Sequence, residues 1–240
     1  MTISVYAEGE GYITFLLLKS LSGDGTLDVC FRYVDRLMFK PAEKNLLLIP
    51  QINPTEREIL KNHPLKDKLV VISDNCEGLE GCIKPRRDPF FFGALEEVAS
   101  ILRLEPLKEL LKHTSPEEPE ENHSFEILLE KLRFYIPLLV GKRESVIYGW
   151  KYFLATAKVP SITYVYPRDG GLIFKPFENI LIHDKLVPVL LGKLPREISD
   201  TYKVKGFIPP EVHIDGKNNL DSEVKLITYA AALAKKLKRE

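Results

Sequence analysis

Residues 45–49 and 69–73 are short runs with almost no polar face. Leu46, Leu47, Leu48 and Ile49 fill the first, and Leu69, Val70, Val71 and Ile72 the second. A strand that is apolar on both sides must be covered on both sides, as in a parallel sheet held between helices. Such a chain has to alternate strands with helices, and the first half does so. The pattern predicts a strand at 3–6 and a Gly9-Glu10-Gly11 turn. A helix follows at 12–21, with Ile13, Leu16, Leu17 and Leu21 inward, then a strand at 27–31. After 45–49, Asn53 is an N-cap with Pro54 at the first helical position and Glu56 in the first turn, opening a helix to 62. The strand at 69–73 leads to a loop over 74–84, a helix at 89–102 and a short helix at 106–112.

The stretch 114–122 is acidic, Pro-rich and without periodicity, which marks a linker. Beyond it, Ser124 can cap a helix over 125–139 that bends near Pro137. Residues 145–148 are a short β-rich apolar run. Gly149 breaks the run where a parallel strand would hand over to a helix, and Trp150, Phe153, Leu154 and Ala157 then recur at helical spacing. Pro160 stops that helix. Strands are expected at 161–166, 178–183 and 186–191, then helices near 195–202 and over 220–237. The resulting class is α/β: two doubly wound, flavodoxin-like parallel-sheet domains at 1–113 and 124–240, joined by a linker at 114–123. Ligands of such sheets sit at the carboxyl ends of strands, so chemistry is expected at Gly149 and Pro167.

Composition removes several function classes. The 34 basic and 34 acidic residues cancel, which leaves no footprint for nucleic acid or an anionic membrane. No apolar run is long enough to span a bilayer, and the first residues lack a signal-peptide pattern. The chain is therefore expected to be cytoplasmic, with no membrane and no nucleic-acid partner. Three cysteines also suit a reducing compartment, and a disulfide between Cys76 and Cys82, either side of a Gly-containing turn, is possible but unforced. Two methionines and a high charged fraction match a thermophile's composition. No metal-ligand spacing and no G-x-S-x-G elbow occurs, so neither a metal nor a cofactor is expected. The basic C-terminal run 235–239 suits a helix end, where cations complement the dipole.

Two motifs carry candidate chemistry. Gly9-Glu10-Gly11 between a strand and a helix has the form of a phosphate-binding turn, but Thr14 stands at the third glycine position of G-x-G-x-x-G, and Glu8 and Glu10 oppose an anion. Lys84-Pro85-Arg86-Arg87 places a fixed fork of donors before an aromatic helix start. With Gly149, Ala157-Lys158 and the strand ending in Tyr166-Pro167, this order resembles the archaeal-type bifunctional phosphoglucose/phosphomannose isomerases, which are built from two sugar-isomerase (SIS) domains.

That resemblance implies two SIS-type domains, a homodimer with clefts near the subunit interface, and a sugar phosphate or related small molecule as ligand. In the family's GxGGS turn only Gly9 is kept, and Gly11 takes the Ser place. In the loop similar to SYSGNT, Pro50 and Ile52 replace the serines and Thr55 remains; Pro54 also removes a backbone donor. Pro85-Arg86 matches the family pair whose Arg points into the site. The proton-abstracting Glu is replaced by Ala155, while Lys158 is kept. Arg168 and Gly171 stand in the PE-x-x-H-like segment, with His183 as a displaced histidine and Asp169 or Asp184 as a substitute carboxylate. The resemblance thus nominates Gly9, Gly11, Thr55, Arg86, Gly149 and Lys158 for ligand binding, and Arg86, His183 and Asp169 for catalysis. Three readings remain open: a sugar-phosphate-binding protein with lost catalysis, an active aldose–ketose isomerase with relocated groups, or a non-catalytic subunit of a paralogue.

Overall fold

The computed structural model describes residues 1–35, 39, 44–166, 185–204 and 206–239. The chain divides into two compact units, Met1–Thr114 and Ser115–Glu240. The first contains β1 (Thr2–Ala7), α1 (Glu10–Gly23), β2 (Cys30–Tyr33), β3 (Lys44–Leu48), α2 (Pro54–Lys61), β4 (Leu69–Ile72), β5 (Cys82–Ile83), α3 (Phe90–Ile101) and α4 (Glu105–Leu111). Its strands are parallel in the order β2-β1-β3-β4-β5. Leu46, Leu47 and Leu48 are fully buried, as a strand covered on both faces requires. Strand β2 starts later than the sequence suggests, because Leu27 belongs to the exit of α1: its N–H donates to the Leu21 carbonyl at 3.1 Å. The loop after β4 contains β5 and is closed by a Cys76–Cys82 disulfide, while Cys30 is an exposed free thiol.

The second unit contains α5 (His123–Phe134), β6 (Ile136–Gly141), α6 (Glu144–Thr156), β7 (Ile162–Val165), β8 (Leu186–Leu191), α7 (Arg196–Val204), β9 (Glu211–Val212) and α8 (Asn219–Arg239). The parallel order is β7-β6-β8-β9. Both units are therefore doubly wound parallel sheets.

Two local expectations need correction. The helix expected over 125–139 ends at Phe134, and Asn122, not Ser124, caps it. Pro137 disfavours helical backbone at the residue before it, so Tyr135 and Ile136 turn extended and the apolar run becomes a central strand. The strand expected at 145–148 is instead the first half of α6. Val146, Trp150, Phe153 and Leu154 share one buried helical face that runs straight through Gly149. The strand expected at 178–183 lies outside the described residues.

Residues between the α4 and α5 helices are held against α8. Ser115 N–H donates to Asp221 at 3.1 Å, and Lys235 and Lys236 pair with Glu118 and Glu121 at 3.3 and 2.6 Å. The acidic stretch is thus docked on the basic face of the last helix rather than hanging as a free tether.

Candidate functional site

In each sheet the chain reverses its winding direction once, and a crevice opens between the carboxyl ends of the strands flanking that reversal. In the first sheet these are β1 and β3. Gly9 adopts φ 54, ψ −127, a backbone region closed to side-chain-bearing residues. Gly11 faces Leu48 so closely that a Cβ there would lie 1.9 Å from the Leu48 carbonyl oxygen. Gly11 thus serves the packing of α1 on β3, and Gly9 the turn that enters α1.

The anion positions of this crevice are already filled from within. At the start of α2, Asn53 Oδ1 accepts from Glu56 N–H at 2.9 Å, and Glu56 Oε2 accepts from Asn53 N–H at 2.9 Å. Pro54 has no N–H, and Thr55 is exposed in the same turn. At the start of α3, the Phe91 N–H donates to Glu10 at 3.2 Å, and Thr14 Oγ1 donates to the Phe91 carbonyl at 2.9 Å. Glu10 therefore takes the place an external anion would take at that helix N-terminus. Arg86 is 88% exposed and faces Glu97 at 3.8 Å, while Arg87 bonds Glu96 at 2.8 Å and lies over the Phe92 ring.

Burial pushes the Glu10 carboxyl above its ordinary range, and Asp74 and Asp88 push the same way; the Phe91 N–H opposes them. Asp74 is raised by burial and Asp88, against the pull of Lys84. A carboxyl raised in the folded state binds its proton more tightly folded than unfolded. Its contribution to stability is fully present below the ordinary carboxyl range and falls as pH rises through the raised value. Glu10→Gln keeps an acceptor for Phe91 and removes the charge. It is expected to raise stability at neutral pH and to flatten the pH dependence above about 4.5, the ordinary value, in thermal melts. A variant with unchanged pH dependence would show that Glu10 is not strained by its neighbours.

The second sheet reverses between β6 and β8. Gly141 ends β6 and Leu191 ends β8, and a Cβ on Gly141 would sit 3.1 Å from the Leu191 carbonyl oxygen. Beyond them opens a cavity of about 360 Å³. Lys142, Arg143, Lys193 and His213 bring cationic or ionisable groups to it, and Asn218, Asn219 and Ser222 bring neutral hydrogen-bonding groups. Arg143 is the N-cap of α6 but makes no capping hydrogen bond with its side chain. The positive end of the α6 dipole therefore adds to the basic lining.

Two carboxylates organise these cations. Glu223 is buried; it lies 3.2 Å from Arg143 Nε and accepts a hydrogen bond from the Ser145 hydroxyl. Asp215 is exposed at the rim. Its Oδ1 is 3.1 Å from Lys193 Nζ and 2.9 Å from His213 Nε2, contacts that hold its carboxyl below the ordinary range. Asp221, below the rim, is raised by burial but lowered more by the N–H groups of Lys217 and Ser115 and by Lys225. It fixes the turn that carries Asn218.

Of the nominated residues, Gly9, Gly11, Thr55 and Arg86 lie along the carboxyl edge of the first sheet. Gly149 does not mark a strand end. It sits inside α6, where a Cβ would meet Ile227 of α8 at 2.9 Å. Lys158 follows the C-terminus of α6 with φ 61, at the edge of the second sheet opposite the crevice. Asp169 and His183, with Arg168, Gly171 and Asp184, lie outside the described residues. Lys142, Arg143, Lys193, Asp215 and Glu223 were not anticipated. A usable signal existed: LLVGK at 138–142 and VLLGK at 189–193 both end an apolar run in Gly-Lys. Among the described residues no three His, Cys, Asp or Glu side chains are arranged to hold a metal ion, and no described helix is long and apolar enough to cross a membrane.

No family model and no curated protein matches the chain. Solved structures do. A glucose-6-phosphate isomerase-like protein from Thermus thermophilus is 21% identical, with a TM-score of 0.58 over 98% of this chain and 80% of that one. Glucosamine-6-phosphate deaminase from Thermotoga maritima gives 12% identity and a TM-score of 0.60 over 99% and 85%. The C-terminal domain of glucosamine-fructose-6-phosphate aminotransferase from Francisella tularensis gives 10% and 0.58 over 99% and 84%. At these identities the likeness is one of fold: a SIS-type pair of α/β units.

Proposed function

We propose that this chain binds a phosphorylated sugar in the crevice between β6 and β8 and does not isomerise it. The observation that carries the reading is the lining of that crevice: cations and a helix N-terminus, together with Asn and Ser side chains. A phosphate dianion suits the first group, and sugar hydroxyls suit the second. The names of the structures with this fold, an isomerase-like protein and two enzymes of amino-sugar phosphates, support the same ligand class. Aldose–ketose isomerisation needs a base that moves a proton between adjacent carbons. Ala155 cannot supply one, and Glu223 is held by Arg143 and Ser145.

Calorimetry with fructose 6-phosphate tests the placement. Lys142→Ala and Lys193→Ala are each expected to weaken binding about tenfold or more, the usual worth of a charge-assisted hydrogen bond. Arg86→Ala, at an exposed position on the first sheet's edge, is expected to leave affinity unchanged. Loss of binding in Arg86→Ala, with both lysine variants unaffected, would move the site to the first unit. Appearance of glucose 6-phosphate in the wild-type incubation would end the non-catalytic reading.

A further inference from the structure

We propose that Asp215 is an internal competitor: its carboxylate occupies the place of the ligand's phosphate group and must leave before a phosphorylated sugar can seat. The inference rests on the crevice reading above and concerns how that site is regulated.

The two carboxylates at the crevice are held in different ways. Glu223 is buried and engaged on both oxygens, one facing Arg143 and the other accepting from Ser145. Removing it from Arg143 would leave a buried charge without its partner, which is costly. Asp215 is 79% exposed, and one oxygen, Oδ1, serves both Lys193 and His213. Its contacts are to the Lys193 ammonium and the His213 ring, and its side chain is short and sits on the stretch between β9 and α8. Exposed ion pairs of this kind are weak because water screens them and competes for the same groups. The carboxylate can therefore swing out at small cost.

Lys193 and His213 are also two of the groups through which the crevice would hold a phosphate. A phosphate ester offers several anionic oxygens where Asp215 offers one shared oxygen, so it can satisfy both groups separately. The exchange costs the ligand the two Asp215 contacts and returns more than it costs. An uncharged sugar makes no claim on these groups and has nothing to displace. Asp215 thus lowers the affinity of every anionic ligand by one common factor and leaves neutral ligands untouched. In the first unit the half-buried Glu10 likewise holds a helix N-terminus, that of α3.

The experiment is calorimetry of wild type, Asp215→Asn, Asp215→Ala, Lys193→Ala and the Asp215→Asn/Lys193→Ala double variant. The probes are fructose 6-phosphate, inorganic phosphate and unphosphorylated fructose. Asp215→Asn is expected to tighten both phosphate probes by the same factor, about fivefold to tenfold, the worth of two exposed pairs. Fructose binding is expected to stay unchanged, and the gain is expected to shrink when Lys193 is absent. Phosphate binding that appears only in the Asp215 variants supports the proposal equally. If wild type binds phosphate and both Asp215 variants bind it no better, the competitor role is overturned and the crevice reading stands. If neither wild type nor any Asp215 variant binds phosphate, both fall together.

Discussion

Gly11→Ala is expected to destabilise the first unit by about 3 kcal/mol, the upper end of what overpacking costs. The obstacle is unusually hard. The added Cβ would lie 1.9 Å from the Leu48 carbonyl oxygen and 2.6 Å from its carbon, both backbone atoms of a central strand. A flexible side chain could rotate away; a strand paired on both edges cannot. Helix α1 would have to back off from β3 and would loosen the Thr14 contact to Phe91 as it moved. The single tryptophan, Trp150, lies in the second unit, so its emission reports that unit alone. Chemical denaturation should show the circular-dichroism midpoint moving more than the Trp150 emission midpoint. A variant within about 0.5 kcal/mol of wild type, the range of an ordinary surface change, would mean that α1 and β3 do not meet as described. If instead stability holds and phosphate binding is lost, the turn is a ligand site.

The same glycine shows how far the sequence could be read. The handover from strand to helix at Gly9 was legible, because turn chemistry is local, but Glu10 and Gly11 already belong to the first turn of α1. The role of Gly11 was not legible, because it depends on Leu48, 37 positions away in the chain. Asn53-Pro54-Thr55-Glu56 was legible in place and in role, since a capping box closes within four residues. The run 136–141 was not. A short apolar stretch after a helix fits either continuation or a new strand by periodicity alone. The proline that decides the matter acts through backbone sterics at the preceding residue. Once that strand was missed, Gly141 and Lys142 lost their meaning as a strand end, and Gly149 inherited it. His213 and Asp215 were harder still. They follow β9, a two-residue strand that exists through its pairing with β8.

Trp150→Ala is expected to cost about 3–5 kcal/mol, as large-to-small changes of a buried aromatic do. Trp150 is fully buried, stacks on Tyr229 with ring centroids 5.9 Å apart, and donates from Nε1 to the Leu226 carbonyl at 2.9 Å. Gly149 beside it gives Ile227 room to approach, so residues 149 and 150 together seat α8 on α6. The consequence reaches the crevice. Leu226 lines it, and Glu223, one turn earlier on α8, is the residue that orients Arg143 and Ser145. A cavity at position 150 should therefore weaken fructose 6-phosphate binding as well as stability, although Trp150 does not line the crevice. Trp150→Phe separates the two effects. It keeps most of the packing and removes the hydrogen bond to Leu226, a loss of about 0.5–1.5 kcal/mol, because that carbonyl lies inside α8 and keeps its helical partner. Circular dichroism must report stability here, because the fluorophore is gone. If Trp150→Ala lowers stability and leaves affinity intact at a temperature where it is folded, α8 is seated independently of the site. If both fall in step across the two variants, the helix pair α6–α8 is the rigid frame on which the basic crevice depends.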